Sequence, residues 1–186
     1  GNNTWEMGSF VDGGRIFERE EISVFELNQN SLIPLDHKVR MKILFKKMRA
    51  SAHFDWENLK VDFEEGRNKG SIKLVDGTLG PATAQLKMRL DLRSLDINFL
   101  PEKIKYFVYY RGEIKERTYL LKGFEDTETP LGTFNTLKVE REFLPEEDRE
   151  QIYWFAPELD FSIVRILDTN NGRTSDLLLK SQEFVD

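Results

Sequence analysis

The chain has 186 residues, of which 39% are hydrophobic and 32% charged, and its formal net charge is −6. This length fits one domain, and the composition is sufficient to build a hydrophobic core. Because Lys and Arg are interleaved with acidic residues, a nucleic-acid partner is not expected, and a role on an anionic membrane is disfavoured.

The sequence contains no cysteine, which excludes disulfides, thiolate metal sites and cysteine nucleophiles. No apolar run approaches the roughly 18 residues of a transmembrane span. Residues 1–8 are polar apart from one Trp and one Met, and they are interpreted as a loose lead-in or a remnant of tag removal. Residues 9–186 are expected to form a single β-rich domain, with no cofactor.

The first half of the chain shows the alternation of apolar and polar residues that is typical of β-strands. Gly13-Gly14 predicts a hairpin turn. Residues 21–48 predict two strands with a corner at residues 28–31, and residues 51–75 continue the pattern. Strands of this length, separated by turn residues about ten residues apart, indicate an antiparallel meander.

Residues 82–95 are ambiguous. Their leucines and Met88 alternate with charged residues, as in a strand. However, strong helix formers dominate the segment, and Pro81 suits the first turn of a helix. Helical winding would give two nearly opposite apolar stripes, one through Leu86 and one through Met88. We therefore predict one main α-helix at residues 82–95.

The second half predicts further hairpins, with turns at Arg111-Gly112 and at residues 170–172. In the stretch 128–142, Pro130 presets the backbone of a turn and Gly132 frees its end. We interpret these two residues as a structural corner that affects stability and not chemistry. The predicted fold is mainly β: a curved antiparallel sheet or partly open barrel, a meander, with one main α-helix.

Residues 129–138 match a T-P-x-G-x-F-x-T-x-K run, and Ile163–Ile166 follow as a P-V-R-I-like strand. In this the chain resembles a family of exported Gram-negative bacterial proteins, catalogued as the domain of unknown function number thirty-one-oh-eight. The resemblance spans residues 20–182. It implies a removed signal peptide, a periplasmic or outer-envelope location and a curved sheet like lipoprotein-carrier half-barrels. It implies no known activity.

The sequence offers no catalytic residues and no metal site. His37 and His53 are the two histidines, and neither has a further ligand at a metal-binding spacing. There is no G-x-S-x-G elbow and no phosphate-binding glycine loop. The acidic run 146–150 is interpreted as a solvated loop. A hydrolase that uses carboxylates is therefore the least favoured function.

The aromatic residues carry the leading hypothesis. Phe54 and Trp56 share one face of a strand, Tyr106 and Tyr110 share a face of another, and Trp154 lies centrally in a third. On a curved sheet these rings would line a cavity for an apolar or lipid-like ligand. We therefore predict a non-enzymatic envelope protein that binds such a ligand or a protein partner. The alternative is a structural or interaction domain in which the rings fill the core.

Overall fold

The structure is a computed structural model that describes residues 3–12, 16–28 and 31–182. Within these ranges the chain forms twelve β-strands, one α-helix and one short 3-10 helix. The predicted turn at Gly13-Gly14 and the middle of the predicted corner at residues 28–31 lie outside the described residues.

The first six strands form one antiparallel sheet in which each strand pairs with its neighbour in the sequence. They are Thr4–Asp12 (β1), Phe17–Asn28 (β2), Ser31–Ile43 (β3), Lys46–Asp55 (β4), Lys60–Glu65 (β5) and Asn68–Lys73 (β6). Strand β1 begins inside the stretch that the sequence suggested was a loose lead-in. Residues 4–8 therefore belong to the sheet, because their backbone pairs with β2.

The last six strands form a second sheet in the same sequential order. They are Lys103–Tyr110 (β7), Glu113–Thr129 (β8), Gly132–Arg141 (β9), Arg149–Ala156 (β10), Ser162–Asn170 (β11) and Arg173–Leu178 (β12). The α-helix Pro81–Ser94 (α1) lies between the two sets of strands in the sequence, and the 3-10 helix Pro157–Leu159 joins β10 to β11. The predicted fold class, a mainly β antiparallel meander with one main α-helix, is confirmed.

The chain divides into two compact units by its backbone contacts. The first unit contains Gly1–Lys87 and Tyr106–Glu116, and the second contains Met88–Lys105 and Arg117–Asp186. The sequence shows no linker of low complexity at these boundaries, so local sequence features do not predict the division into two units. The single domain expected for residues 9–186 stays a prediction.

The core of the first unit is built around Tyr109. Its ring packs edge-on against Phe54, with ring centroids 5.7 Å apart, and lies 6.5 Å from the ring of Phe63. Edge-to-face aromatic pairs of this kind contribute stability beyond the area that they bury. The Tyr109 hydroxyl also accepts a hydrogen bond of 3.2 Å from the backbone N–H of Gly112 in the β7–β8 turn. The cluster therefore ties this turn to strands β4 and β5.

Phe63 occupies a space that exists because two residues lack side chains. A Cβ atom at Gly70 or at Gly112 would lie 2.9 Å from the Cζ atom of Phe63. Carbon atoms do not approach so closely without displacement. Gly70 is the direct cross-strand neighbour of Phe63, whereas Gly112 belongs to the β7–β8 turn.

The core of the second unit centres on strand β10. Its five residues from Ile152 to Ala156 are all buried. Successive side chains of a strand point to opposite faces of its sheet, so both faces are covered at this strand. On one face, Trp154 packs in a cluster with Phe134 and Val164. Burial raises the pKa of Tyr153, which lies on the other face.

The helix begins where the sequence predicts it. Pro81 occupies its first turn, and the side chain of Thr83 accepts a hydrogen bond of 2.8 Å from the backbone N–H of Gly80. This contact satisfies one of the donors that a helix start leaves open. Ala84, Met88 and Leu92 are buried at a spacing of four residues, which gives one apolar stripe along α1.

The stretch 128–142 contains a hairpin turn, as predicted. Pro130 and Leu131 form a two-residue loop between β8 and β9, with Thr129 paired to Gly132. The Thr129 hydroxyl accepts hydrogen bonds from the N–H groups of Leu131 and Gly132, at 3.1 and 3.2 Å, and donates one to the Gly132 carbonyl. The Thr129 side chain thereby ties both ends of the loop together.

Replacing Gly132 by Val is expected to destabilise the fold. The φ angle of Gly132 is +150°, which residues with a Cβ atom rarely adopt. We expect the variant to lose about 1–2 kcal/mol of the free energy of unfolding, measured by denaturant titration. Leu131→Val, in the same loop, is the control and is expected to be nearly neutral. An unchanged stability of Gly132→Val would contradict this account of the turn.

Candidate functional site

Four of the five predicted aromatic residues lie in the first unit, and they differ in environment. Phe54 is buried in the packed cluster around Tyr109. Trp56 packs against the same cluster, and its indole N–H donates a hydrogen bond of 2.8 Å to the Pro34 carbonyl. These two rings contribute to the core, and neither of them lines the two pockets described below.

The other two aromatic residues of this unit, Tyr106 and Tyr110, do not form a continuous surface with Phe54. Tyr106 is half-buried, whereas Tyr110 is exposed, with the Arg111 guanidinium 5.3 Å from its ring centroid. The most buried positions of β7 are Val108 and Tyr109. A role in ligand binding for these tyrosines stays a prediction.

Trp154 lies in the second unit, and side chains of the protein occupy its surroundings. Its indole N–H donates a hydrogen bond of 2.6 Å to the carboxylate of Glu125. The Arg165 guanidinium lies 4.7 Å from its ring centroid, and the Lys138 ammonium lies 6.0 Å away. Arg165 is itself held by two hydrogen bonds of 2.9 Å to Asp176. The ring is therefore part of a closed cross-strand arrangement.

An open pocket of about 500 Å³ lies in the second unit, beyond the end of β10. The side chains that give it apolar surface are Phe124, which is 38% exposed, and Ile97, which is 45% exposed. Pro157 adds a third apolar wall, and the polar lining residues are Asn98, Asn135 and Glu158. This volume falls in the range of pockets that hold small organic ligands.

A cluster of charges fixes one wall of this pocket. Asp160 ends the 3-10 helix that carries Pro157, and it has a left-handed backbone conformation. Arg89 of α1 donates hydrogen bonds to the backbone carbonyl and the carboxylate of Asp160, at 2.9 and 3.1 Å. Arg93, one helical turn further on, lies 2.8 Å from the same carboxylate. These contacts hold the 3-10 helix against α1 within the second unit.

A second pocket, of about 330 Å³, lies where β9 ends and β10 begins. Arg141 and Arg149 line it, and their guanidinium carbons lie 4.2 and 5.3 Å from the ring centroid of Phe143. The Nε atoms of both arginines are buried without a hydrogen-bond partner. Buried polar groups are seldom left unpaired, so these two donors are an exception to the usual packing of a protein interior.

The two arginines of this pocket differ in how well their positive charges are paired. Arg149 pairs with Asp168 at 3.2 Å, but Arg141 has one weak partner, the side-chain oxygen of Gln151 at 3.5 Å. Burial, together with the positive charges of Arg117 and Arg149, lowers the pKa of Arg141 to about 10. A bound anion would relieve this repulsion, because it would supply the opposite charge that the described chain does not provide.

The acidic residues of this pocket are engaged in part elsewhere. Glu140 pairs with Lys122 and Lys138, at 3.3 and 3.1 Å, and Glu147 accepts a hydrogen bond of 2.9 Å from the backbone N–H of Leu144. Glu146, Glu147 and Asp148 are exposed in the β9–β10 loop, as the sequence indicated, whereas Glu150 is exposed within strand β10. The carboxylates therefore leave Arg141 available to a ligand.

A serine, a histidine and a glutamate come together in the first unit. The Ser23 hydroxyl lies 3.0 Å from Nδ1 of His37, and Nε2 of His37 lies 3.8 Å from a carboxylate oxygen of Glu21. Arg19 forms an ion pair with Glu21. The order of groups resembles a catalytic triad. However, Ser23 is 2% exposed, and His37 and Glu21 are each 7% exposed, so the serine is closed to a substrate in this structure.

No three His, Asp or Glu side chains within the described ranges gather at a distance suited to one metal ion. His53 lies 3.1 Å from Asp36, a single carboxylate on the neighbouring strand. In the part of the chain that the structure describes, no helix has the length and apolar character needed to cross a bilayer.

The comparisons with known proteins show the fold alone. No family model matches the sequence, and no curated protein sequence matches it. The structure is similar to a crystal structure of a β-barrel-like protein of a domain of unknown function, DUF1849, from Brucella abortus. The TM-score is 0.52 at 10% identity, and the match covers 88% of this chain and 73% of that chain.

The two pockets and the Ser23–His37 contact are not predicted by the sequence. Phe124 and Ile97 carry no sequence signal of exposure, since an apolar residue in a strand or loop is more often buried. Arg141 and Arg149 flank a loop that is rich in acidic residues, so the local sequence does not indicate a positively charged pocket. A cross-strand contact such as Ser23 to His37 depends on the register of β2 and β3, which the sequence did not specify.

The stability of the fold is expected to depend on His37 in mildly acidic solution. Burial lowers the pKa of His37, and the negative charge of Glu21 offsets this only in part. The unfolded chain therefore binds a proton near pH 6.5 that the folded protein does not bind until a lower pH. Stability is retained above about pH 6.5, and it falls as the pH decreases from there through the lowered pKa of His37 in the folded protein.

We expect His37→Gln to reduce this pH dependence of the melting temperature between about pH 7.5 and about pH 5.5. The comparison concerns slopes, because the variant also loses the contact with Ser23 at every pH. His53→Gln is the control, since His53 is exposed. Equal slopes for the wild type and His37→Gln would show that His37 is not the group responsible.

Proposed function

We propose that this protein is a non-enzymatic binding protein that holds an apolar or lipid-like ligand in the pocket lined by Phe124. The observation that carries the proposal is an exposed aromatic ring and an exposed Ile97 in a pocket of about 500 Å³ with polar residues beside them. An apolar surface with a few polar groups suits an elongated ligand that has a polar end.

The pocket supports binding more than catalysis. Its polar residues, Asn98 and Asn135, use their side-chain amides to donate hydrogen bonds to Asp96 and Asp126. These contacts hold the walls in place. Its single carboxylate, Glu158, has no second titratable group within the lining to share acid–base work. A non-enzymatic role is therefore the simpler proposal for this site.

We propose a periplasmic or outer-envelope location for the protein. The support is the resemblance of residues 129–138 and 163–166 to a family of exported Gram-negative proteins, together with a fold that is similar to a β-barrel-like protein. Membership of the specific family, number thirty-one-oh-eight, is part of the same proposal. Cell fractionation of the natural gene product tests the location, and a purely cytoplasmic product would contradict it.

Replacing Phe124 by Asp is expected to weaken ligand binding by at least about tenfold, because it removes apolar contact and adds a charge to the pocket. The probe is a naphthylamine dye whose fluorescence rises in apolar surroundings, with dodecanoate as the competitor. Thermal unfolding of the same sample shows whether the variant is folded.

Leu144→Asp is the matched control, since Leu144 is also exposed in the second unit but lies in the other pocket. Tyr110→Ala tests the exposed member of the predicted aromatic set. Loss of dye binding in Tyr110→Ala, but not in Phe124→Asp, would move the site to the first unit. No saturable binding by the wild type would favour the alternative, a structural domain with a filled core.

A second candidate function is anion binding between Arg141 and Arg149. The unpartnered Nε atoms of the two arginines and the lack of a carboxylate for Arg141 favour it. Phosphate or carboxylate oxygens would accept from both guanidinium groups. The guanidinium groups would remain packed on the apolar ring of Phe143.

We expect Arg141→Gln to raise the melting temperature of the ligand-free protein, because it removes a poorly paired charge beside Arg149. The same variant should no longer be stabilised by inorganic phosphate, which is expected to stabilise the wild type. Arg149→Gln is the contrasting variant, and it should lower the melting temperature because it breaks the pair with Asp168. Stabilisation of Arg141→Gln by phosphate equal to that of the wild type would exclude this site.

A further inference from the structure

The turn between β3 and β4 exposes three consecutive apolar side chains. Phe45 is 99% exposed and Leu44 is 53% exposed, and Ile43 beside them is also exposed. Ile16, another exposed apolar residue, adjoins this turn, since its carbonyl accepts a hydrogen bond of 2.8 Å from the N–H of Leu44. Contiguous apolar surface of this kind marks an interaction site on a folded protein.

The hairpin that carries this turn is strongly basic, although the chain as a whole is acidic. Between Asp36 and Asp55 the sequence contains no acidic residue. The same segment contains six basic residues: Lys38, Arg40, Lys42, Lys46, Lys47 and Arg49. The net charge of the whole chain does not reveal this basic segment. The segment departs from the interleaved pattern of positive and negative residues, and that pattern was the reason for disfavouring a membrane role.

The register of the hairpin places like charges opposite one another. Lys42 is the direct cross-strand partner of Lys47, and Arg40 is the partner of Arg49. Like charges at such positions destabilise a sheet. Glu18 and Glu20 of β2 neutralise the two residues on β3, at 2.7 and 3.1 Å. The β4 residues of these pairs form no ion pair with any residue that the structure describes.

The tip also extends past its neighbour on one side. Strand β4 pairs with β5 only from Ala50 onward, whereas its pairing with β3 continues to Lys46. The Arg49 carbonyl still accepts a hydrogen bond of 3.2 Å from the N–H of Gly66, so the segment 46–48 has the unpaired edge next to the exposed turn. The charged side chains of this segment can approach a surface without obstruction by β5.

The backbone conformation at position 44, in the turn between β3 and β4, favours a residue type other than leucine. Leu44 has a φ angle of +52°, a conformation that Gly or Asn adopts readily and Leu does not. A two-residue hairpin loop is usually built from Gly, Asn or Asp. Backbone strain at an exposed apolar residue is a reason to look for a function of that side chain.

We propose that the β3–β4 hairpin docks on the surface of a lipid bilayer that contains anionic lipids. Ile43, Leu44 and Phe45 insert into the boundary between headgroups and acyl chains, and the basic residues beside them contact the anionic headgroups. Apolar insertion combined with basic side chains is the general mode of interfacial membrane binding. Anionic headgroups also supply the opposite charge that Glu18 and Glu20 supply to β3 but not to Lys47 and Arg49 on β4.

Vesicle co-sedimentation tests the proposal. The wild type is expected to bind vesicles of phosphatidylcholine mixed with phosphatidylglycerol, to bind pure phosphatidylcholine at least about tenfold more weakly, and to be released at high ionic strength. Leu44→Gly combined with Phe45→Ser should lose binding to the mixed vesicles by at least about tenfold. The same double variant should melt at an equal or higher temperature, because Gly relieves the strained φ angle.

Leu59→Gly is the matched control for the apolar contribution. Leu59 is 56% exposed and also has a φ angle of +52°, but its turn lies between β4 and β5 beside Asp55 and Glu57. This variant matches the Leu44→Gly half of the double variant, since it gains the same backbone relief and loses the same leucine side chain. It is expected to bind the mixed vesicles as the wild type does.

A pair of charge reversals tests the electrostatic contribution. Lys46→Glu with Lys47→Glu should abolish binding to the mixed vesicles, since each basic residue near an anionic surface contributes about fivefold to the binding constant. Lys73→Glu with Lys103→Glu changes the net charge equally at exposed positions outside the hairpin. This second pair should reduce binding much less.

Three results would overturn the proposal. Equal binding to neutral and mixed vesicles would remove the electrostatic argument, and an equal loss of binding in Leu59→Gly would show a nonspecific apolar effect. If light scattering shows that the wild type is a dimer and the Leu44→Gly, Phe45→Ser variant a monomer, while vesicle binding is unchanged, the tip is a self-association surface.

Discussion

The burial of strand β10 on both faces is the constraint on which the second unit depends. Side chains that alternate between two covered faces leave no room for a ligand on the middle of the sheet. The two pockets of this unit lie instead at opposite ends of β10. Arg149 is the first residue of β10 and lines one pocket. Pro157 directly follows the last residue of β10 and lines the other pocket. Both pockets therefore lie beside the ends of β10 and not on its covered faces.

Most of the secondary structure could be predicted because its signals are local. The period of two between apolar residues, the proline at the start of α1 and the glycines of the turns each act within a few residues. The corner at Pro130 and Gly132 is an example, since its hydrogen bonds all come from residues 129–132. The division of the strands into two sheets has no such signal, because it depends on contacts between distant segments.

The candidate site could not be predicted in the same way. The sequence shows that Phe54 and Phe124 lie in strands, but not that the first is buried and the second exposed, since both depend on tertiary packing. Trp154 was a candidate for ligand binding, yet its neighbours Glu125 and Arg165 come from two other strands. The basic hairpin is a different case. Its composition is visible in the sequence, and an average over the whole chain obscured it.

The space around Phe63 has a consequence for how this sequence can vary. A Cβ atom at Gly70 or at Gly112, two positions that are far apart in the chain, would require the Phe63 ring to shift. A smaller residue at position 63 would release both positions from this constraint. Gly70 would then tolerate alanine, whereas Gly112 would still be restricted by its φ angle of +75°. Substitutions at positions 63 and 70 should therefore show epistasis: the order in which they arise decides how stable the intermediate is.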